Sequence, residues 1–203
     1  MARNGFDTSK PIIILDGNSL VEYGSSNGFF GTALDTEYGS GNYSVYYVAV
    51  AGQNVDDMQG RLATFVLPLL RRNMNVIYFN QAGRNQIKQT ADSNATILSK
   101  IQTMYQTVKD QVSSTKTIAV LTSYSAVGGG DLNELTDIPI LNGLISAESS
   151  GYIDNKFDLF NNGLGFDDGS NQPPFDTDEV HYSNPTGQTT HADWCVDKIA
   201  TVV

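Results

Sequence analysis

Two serines near the amino terminus stand in contexts that could supply a catalytic nucleophile. Ser19 belongs to the segment GNSL at residues 17–20, just behind the apolar run PIIIL at residues 11–15. Ser26 belongs to the segment GSSNG, which matches the G-x-S-x-G pattern of a nucleophile elbow. A serine hydroxyl attacks an ester carbonyl when a histidine removes its proton and a carboxylate orients that histidine. The pattern therefore indicates acyl-transfer chemistry, and the first question is which serine would carry it.

Ser19 has the better context for this chemistry. A hydroxyl placed where a buried strand passes into a helix is held rigidly, close to the positive end of the helix dipole and to free backbone N–H groups. Negative charge that develops on a substrate is stabilised at such a place. Ser26 lacks this context, because residues 21–25 are not a buried strand and Asn27-Gly28 is a turn signal. We therefore predict that Ser19 is the nucleophile and that Ser26 is a loop serine.

The chain has two histidines, and one of them is well placed to act as a base. His181 lies at a junction between a loop and a helix, and Asp178 precedes it by three residues. One tight turn would let the Asp178 carboxylate hold the imidazole in the tautomer that a base needs, although such a pair taken alone is often two solvated loop residues. His191 shares a helix face with Cys195 and Ile199, which predicts a packed side chain.

Short apolar runs alternate with helical patterns along the chain, as in a parallel α/β domain. We predict strands at residues 11–15, 43–52, 75–83, 116–124 and 152–160. We predict helices around residues 29–34 with an end at Gly39, at residues 56–70 with a kink at Pro68, at about 92–112, from Asp131 towards Ser146, and from Asn184-Pro185 onward. The predicted fold class is α/β, a three-layer sandwich with a mainly parallel five-stranded sheet, and residues 1–203 are expected to form a single domain.

Polar side chains follow the predicted strands where each strand ends. Residues 16–19, 51–54 and 80–85 follow the first three strands, residues 123–124 belong to the end of the fourth, and residues 176–181 belong to a late loop. Active sites of parallel α/β folds gather at the carboxyl ends of the strands, so these segments should share one rim. The predicted substrate-binding residues on this rim are Asn54, Arg84 and Tyr124.

Taken together, these segments resemble the SGNH/GDSL hydrolase superfamily, whose signature positions are a Ser, a Gly, an Asn and a His in that order. They match Ser19 in DGNSL, Gly52 in VAGQN, Asn85 in AGRNQ and His181 in DEVH. The resemblance runs from residue 12 to about 188. It implies a flavodoxin-like α/β/α fold and the mechanism of a serine esterase.

Three positions depart from the pattern of this superfamily. Asn18 stands where an Asp usually precedes the serine, so GDSL becomes GNSL. Val50 stands where an Asn is frequent, and Gln86 replaces the Asp of the usual G-x-N-D block. The position of Asn18 is not a triad member, while Val50 and Gln86 are expected to alter local hydrogen bonding.

The resemblance implies a role for each matched residue. Ser19 attacks the ester carbonyl, His181 moves the proton, and Asp178 orients His181. The oxyanion hole consists of the backbone N–H groups of Ser19 and Gly52 and the side-chain amide of Asn85. No cofactor and no metal ion are expected in this mechanism.

Composition limits the partners of the protein. The net charge is −10, from 22 acidic and 12 basic residues, which disfavours nucleic acid and anionic membranes as partners. A single cysteine, Cys195, excludes an intramolecular disulfide, and no Cys/His cluster suggests zinc. The acidic segment 166–179 does not have the spacing of an EF-hand, so calcium binding is the weaker interpretation. We also expect no transmembrane segment and no signal peptide in this chain.

The substrate is the least determined part of the prediction. The predicted rim is polar and aromatic, without a long apolar lid, which favours a short acyl group such as acetyl on a carbohydrate or similar polar alcohol. One alternative is a lysophospholipase or thioesterase of the same superfamily. Another is a glycan-binding module without catalysis, although such a module would have no need of a paired Asp178 and His181. The Gly- and Asn-rich, Lys-poor composition suggests work outside a cytoplasm, or as part of a phage or secreted assembly. A larger parent protein and a homo-oligomer are both left open by the sequence.

Overall fold

In the computed structural model, which describes residues 10–71, 75–123, 132–168, 173–178 and 180–203, five parallel strands form one sheet. The strands are β1 (Ile12–Gly17), β2 (Ser44–Tyr47), β3 (Val76–Gln81), β4 (Lys116–Val120) and β5 (Asn155–Phe157). Their order in the sheet is β2-β1-β3-β4-β5, and every pairing is parallel. This is the flavodoxin-like order of doubly wound folds, which confirms the predicted fold class.

Helices cover both faces of the sheet. They are α1 (Ser19–Ser26), α2 (Phe29–Tyr38), α3 (Val55–Arg61), α4 (Leu67–Leu70), α5 (Arg84–Gln89), α6 (Asn94–Gln111), α7 (Leu132–Ala147) and α8 (Thr186–Ala200). A π-helical turn at Leu62–Val66 joins α3 to α4. None of these described helices is both long and apolar enough to cross a membrane.

Strand β1 is buried along its whole length because its side chains alternate between two cores. Ile12 and Ile14 pack with apolar side chains of α3, α6 and α7. Ile13 and Leu15 pack with apolar side chains of α1, α2 and α8. The continuous apolar run that predicted this strand is therefore explained by helices on both of its faces.

A buried ion pair lies at the carboxyl end of β1. The Asp16 carboxylate, fully buried, accepts hydrogen bonds from Arg61, from the hydroxyl of Tyr78 at 2.6 Å and from the N–H of Gly17 at 2.8 Å. Burial raises the pKa of Asp16 above its usual range, although the Arg61 charge and the Tyr78 hydroxyl oppose the increase. These contacts fix the backbone three residues before Ser19.

Several predicted elements differ in extent from the observed ones. Strand β2 ends at Tyr47 rather than at residue 52. The chain beyond it still donates from Val48 to Leu15 and from Val50 to Gly17, and then turns through Gly52, whose φ is +77°. Strand β5 covers three residues instead of 152–160.

The helices also correct the sequence prediction in three places. The sequence predicts a kink at Pro68, but the irregular turn lies just before that residue. There the π-helical turn at Leu62–Val66 accommodates Pro68, which has no backbone N–H to donate. Pro185 is the N-cap of α8 and does not lie in its first turn. Helix α5 was not predicted, because its six residues are too short to show an apolar period. Asp131, the predicted cap of α7, lies outside the described residues.

Gly187, in the first turn of α8, leaves no room for a side chain. A Cβ there would lie 1.8 Å from the carbonyl oxygen of Pro174, which accepts a hydrogen bond from Ser183 at 2.8 Å. We expect Gly187→Ala to lower the free energy of unfolding by about 1–3 kcal/mol, because backbone must move to accept the methyl group. Urea unfolding measures this change.

The control for this experiment is Gly143→Ala in α7, where a Cβ would meet nothing within 4 Å. That exchange should leave stability unchanged or raise it by up to about 1 kcal/mol, because alanine favours a helix. Equal unfolding midpoints for the two variants would contradict the close packing of α8 against Pro174.

Candidate active site

Ser19, His181 and Asp178 form one hydrogen-bonded chain at the carboxyl end of the sheet. The Ser19 Oγ lies 3.1 Å from Nε2 of His181. Nδ1 of the same ring lies 2.6 Å from an oxygen of Asp178. The serine and histidine are 162 residues apart in sequence, so the fold brings together the residues that the sequence pattern indicated.

Asp178 is held in the geometry that orients a histidine. One carboxylate oxygen accepts hydrogen bonds from the backbone N–H groups of Val180 and His181, both at 2.9 Å. Partial burial alone would raise the pKa of Asp178, but the hydrogen bonds from His181 and Val180 outweigh it and lower the pKa. An ionised carboxylate only accepts, so Nδ1 of His181 carries the proton and Nε2 is left to accept the Ser19 hydroxyl.

The loop that carries His181 is anchored on both sides of the histidine. Phe175 and Tyr182 form an antiparallel bridge, and the N–H of Asp176 donates to the His181 carbonyl at 2.8 Å. The buried Tyr182 hydroxyl donates to Ser123 at 2.8 Å, next to the end of β4. These bonds hold the imidazole against the rim of the sheet.

Three N–H groups without a described acceptor belong to Ser19, Gly52 and Asn85, which all line the cavity. Among the described hydrogen bonds, neither the backbone N–H of Ser19 nor that of Gly52 has an acceptor. The Asn85 amide donates one N–H to the carbonyl of Gln53 at 2.9 Å, which leaves its second N–H for the cavity that it lines. The carbonyl of Gly52 is held by Gln89 at 2.7 Å. The arrangement suits an oxyanion hole.

These groups surround an open cavity of about 240 Å³. The lining residues come from the carboxyl end of the sheet, from α1, α5 and α7, and from the histidine loop: Asn18, Ser19, Leu20, Tyr23, Ala51, Gly52, Arg84, Asn85, Lys88, Gln89, Glu134, Val180 and His181. The centroids of the Tyr23 and His181 rings are 5.0 Å apart, and the Tyr23 ring forms an aromatic part of the cavity wall. The lining combines polar side chains with the apolar surface of residues such as Leu20, Tyr23 and Val180.

Two departures from the superfamily pattern have a structural explanation. Asn18 is the N-cap of α1, where its side chain accepts from the N–H of Leu20 at 3.0 Å; Asn caps a helix as well as Asp does. The Gln86 side chain accepts from the N–H of Val55 at 3.0 Å and donates to two aspartates, so it ties α5 to the start of α3. The third position, Val50, is 42% exposed and outside the cavity.

The predicted substrate-binding residues have different outcomes. Arg84 lines the cavity, but its buried guanidinium donates to the carbonyl of Val180 at 2.9 Å and faces Glu134 at 3.4 Å. Asn54 does not line the cavity, because its side chain caps α3 and its amide donates to Gln89 at 3.1 Å. Tyr124 lies outside the described residues. We therefore do not carry Asn54 into the proposed site.

Ser26 and His191, the serine and the histidine that the sequence disfavoured as catalytic residues, lie outside this cavity. Ser26 is exposed near the end of α1, where its hydroxyl donates to the carbonyl of Tyr23 at 3.3 Å. His191 is fully buried, with Nε2 3.1 Å from the Gln81 side chain, and burial lowers the pKa of His191 to about 3. A neutral buried imidazole confirms the predicted packing role.

One face of α5 supplies more of the cavity than the sequence indicated. Arg84, Asn85, Lys88 and Gln89 all line it. Counted from Arg84, the other three follow after one, four and five residues, which places all four on the same side of a helix. This spacing is the sequence signal that could have predicted them. Among the described residues, no group of three or more His, Cys, Asp and Glu side chains is arranged to hold a metal ion.

Arg84 should matter for stability as much as for the site. Arg84→Met leaves the buried Glu134 without the charge that faces it, so we expect the free energy of unfolding to fall by about 3–5 kcal/mol. The double variant Arg84→Met/Glu134→Leu removes both charges and should recover most of the loss. Urea unfolding of the wild type and both variants gives these values. A single variant within 0.5 kcal/mol of wild type would contradict a close buried pair.

Comparison with known proteins identifies others that share this fold. No family model matches the chain, and no curated protein matches it by sequence. A GDSL-like lipase from Bacteroides thetaiotaomicron superposes with a TM-score of 0.70 and 16% identity, over 95% of this chain and 89% of that one. A lipase/acylhydrolase from Enterococcus faecalis gives a TM-score of 0.65 and 15% identity, over 95% and 96% of the two chains.

An acetyl xylan esterase is also similar, with a TM-score of 0.67 and 15% identity, over 95% of this chain and 99% of that one. Sequence identities this low establish the architecture of the chain and leave its chemistry to the geometry of the site. The chain has the α/β/α fold of the GDSL-like lipases and esterases.

Proposed function

We propose that this protein is a serine ester hydrolase of the SGNH type, which removes a short acyl group, acetyl above all, from a carbohydrate or a similar polar alcohol. The observation that carries the proposal is the hydrogen-bonded sequence from Ser19 through His181 to Asp178, with contacts of 3.1 and 2.6 Å. These are the distances required between a nucleophile, its base and the group that orients the base.

The reaction follows from this geometry in two steps. His181 Nε2 takes the hydroxyl proton as Ser19 Oγ forms a bond to the ester carbonyl carbon, and the carbonyl becomes an oxyanion. The C–O bond to the alcohol then breaks, and the His181 imidazolium gives its proton to the leaving oxygen. A water molecule, deprotonated by the same nitrogen, attacks the acyl carbon; the bond from that carbon to Ser19 Oγ then breaks, His181 returns the proton to Oγ, and the acid is released. Asp178 stabilises the imidazolium in both steps.

The oxyanion is stabilised by donors that are in place before the reaction begins. The backbone N–H groups of Ser19 and Gly52 have no acceptor among the described residues, and Asn85 offers an amide N–H. Ser19 is also the first residue of α1, where the helix dipole favours negative charge. Fixed donors of this kind are worth more than water because they need no reorganisation.

The shape and lining of the cavity support a short acyl group. The cavity is open and about 240 Å³ in volume, and the aliphatic side chains among its described lining residues are those of Leu20, Ala51 and Val180. A long acyl chain needs an extended apolar surface to leave water. The shared fold with an acetyl xylan esterase is consistent with this preference.

The first test is hydrolysis of p-nitrophenyl acetate, butyrate and octanoate by the wild type, Ser19→Ala and Ser26→Ala. We expect kcat/KM to be highest for acetate, because the described lining offers three aliphatic side chains, too few to cover a long acyl chain. Ser19→Ala should lose about 10⁴-fold or more in kcat, as removal of a triad nucleophile does. Ser26→Ala should retain wild-type rates, because its hydroxyl is exposed outside the cavity.

Other outcomes of this assay lead to specific alternatives. A faster reaction with octanoate would favour a lysophospholipase or thioesterase over a short-acyl esterase. A folded wild type that hydrolyses none of the esters would favour a binding module, and activity that survives in Ser19→Ala would refute the assignment of the nucleophile.

The Asn85 amide should contribute to the transition state more than to substrate binding. We expect Asn85→Ala to lower kcat by about 10²–10³ with little change in KM, because the oxyanion forms only during the reaction. Asn54→Ala is the matched control. It removes an amide that caps α3 outside the cavity, so it should cost about 1 kcal/mol of stability and leave kcat unchanged. Near-normal kcat in Asn85→Ala would remove Asn85 from the oxyanion hole.

A further inference from the structure

Lys88 places a positive charge at the rim of the catalytic cavity. It is exposed, it lines the cavity, and it lies one helical turn beyond Arg84 and Asn85 on α5. Within the described part of the chain, its ammonium group forms no ion pair and no hydrogen bond. Its charge is therefore available to a ligand.

The other charged groups around this cavity are compensated within the protein. Arg84 faces Glu134 at 3.4 Å, with both side chains buried. Asp178 is bound to the His181 ring at 2.6 Å. Of the charged residues in the described lining, Lys88 is thus the one without a partner in the described part of the chain.

Lys100 and Lys109, by contrast, have acidic partners. Lys100 bridges Asp56 and Asp92, at 2.7 and 2.8 Å, and Lys109 contacts Asp154 at 2.6 Å. The protein has 22 acidic and 12 basic residues, so a cation without a partner is against the general trend of its charge. A positive site at the mouth of an otherwise acidic molecule attracts an anionic substrate group locally.

The position of Lys88 assigns that anionic group to the alcohol part of the substrate. The acyl group must lie against Ser19 and the oxyanion donors, so the alcohol extends towards the rim. Helix α5 rises about 1.5 Å per residue, which places Lys88 about 4.5 Å along its axis from Asn85, on the scale of one sugar ring. Gln89 lies beside Lys88 at the same rim, but its side chain is already bonded to the carbonyl of Gly52 and to the amide of Asn54.

We propose, on the basis of the esterase function proposed above, that Lys88 binds a carboxylate on the alcohol part of the substrate, and that the natural substrate is an O-acylated acidic sugar of the uronic acid class. An ammonium group is a point charge that also accepts phosphate. A carboxylate is favoured here because its single charge is matched by one lysine, with no second uncompensated cation among the described lining residues.

The test compares two acetyl esters that differ in one group, a monoacetylated methyl glucoside and the corresponding methyl glucuronoside. We expect the wild type to have a KM about two- to fivefold lower for the glucuronoside, the effect of one exposed ion pair. The preference should disappear in 1 M salt, where the Debye length is about 3 Å. Lys88→Met should bring the kcat/KM ratio of the two esters to about one, and Lys88→Glu should reverse it.

Lys116→Met is the matched control, because Lys116 is exposed at the start of β4 and does not line the cavity. It should keep the wild-type ratio. Equal KM values for the two esters in the wild type, or a preference that survives in Lys88→Met, would overturn the proposal. A monoacetylated glucose phosphate hydrolysed with a lower KM than the glucuronoside would overturn the assignment to a carboxylate.

Failure of the esterase function is distinguishable from failure of the Lys88 proposal. Absence of hydrolysis of every ester, p-nitrophenyl acetate included, would refute the esterase function. NMR titration of Ser19→Ala with the two sugar esters still tests Lys88 in that case. If Ser19→Ala binds the glucuronoside more tightly than the glucoside, and the double variant Ser19→Ala/Lys88→Met does not, the charge contact is supported. Equal binding of the two sugar esters by Ser19→Ala would overturn it.

Discussion

The position of Ser19 depends on a buried carboxylate at the end of the central strand. Asp16 is fully buried and is held by Arg61, Tyr78 and the N–H of Gly17. An unpaired charge at this depth would be strongly destabilising, and the contact with Arg61 prevents this in the folded state. Because Asp16 lies three residues before Ser19, its contacts also set the point at which β1 ends and α1 begins. The rigidity of the site therefore comes from contacts of Asp16 that do not belong to the hydrogen-bonded chain of Ser19, His181 and Asp178.

The histidine reaches this rigid end of the sheet on a separate loop, and contacts from several elements join the two. Arg84 donates to the carbonyl of Val180, the residue before His181. The buried hydroxyl of Tyr182, the residue after it, donates to Ser123. The imidazole is therefore fixed from both neighbouring residues, by an arginine from α5 and a serine from the end of β4. This explains how a 3.1 Å contact forms between groups 162 residues apart.

The sequence predicted the parts of the structure that depend on strong local patterns. The apolar run of β1 marks a central strand, and the residues behind it could be matched to a known order of Ser, Gly, Asn and His. The role of Asn54 could not be predicted, because an asparagine at a strand end can cap a helix or bind a ligand with the same amide. In the structure, contacts with α3 and Gln89 show that the Asn54 side chain caps the helix. Similarly, α5 has too few residues for a period, and only its packing defines it as a helix.

Helix α5 contributes to the cavity along its whole length. Its first turn carries Arg84, which holds the histidine loop, and Asn85, which lines the cavity. Its second turn carries Lys88 and Gln89, which lie at the exposed rim. Lys88 takes part in none of the described hydrogen bonds of the site, whereas Gln89 holds the carbonyl of Gly52 at 2.7 Å. Under the proposed function, we therefore expect substitution of Lys88, rather than of Gln89, to change the preference for the alcohol while the Ser19–His181 contact keeps its geometry. The same fold occurs in lipases, acylhydrolases and an acetyl xylan esterase, so the architecture alone does not determine a substrate.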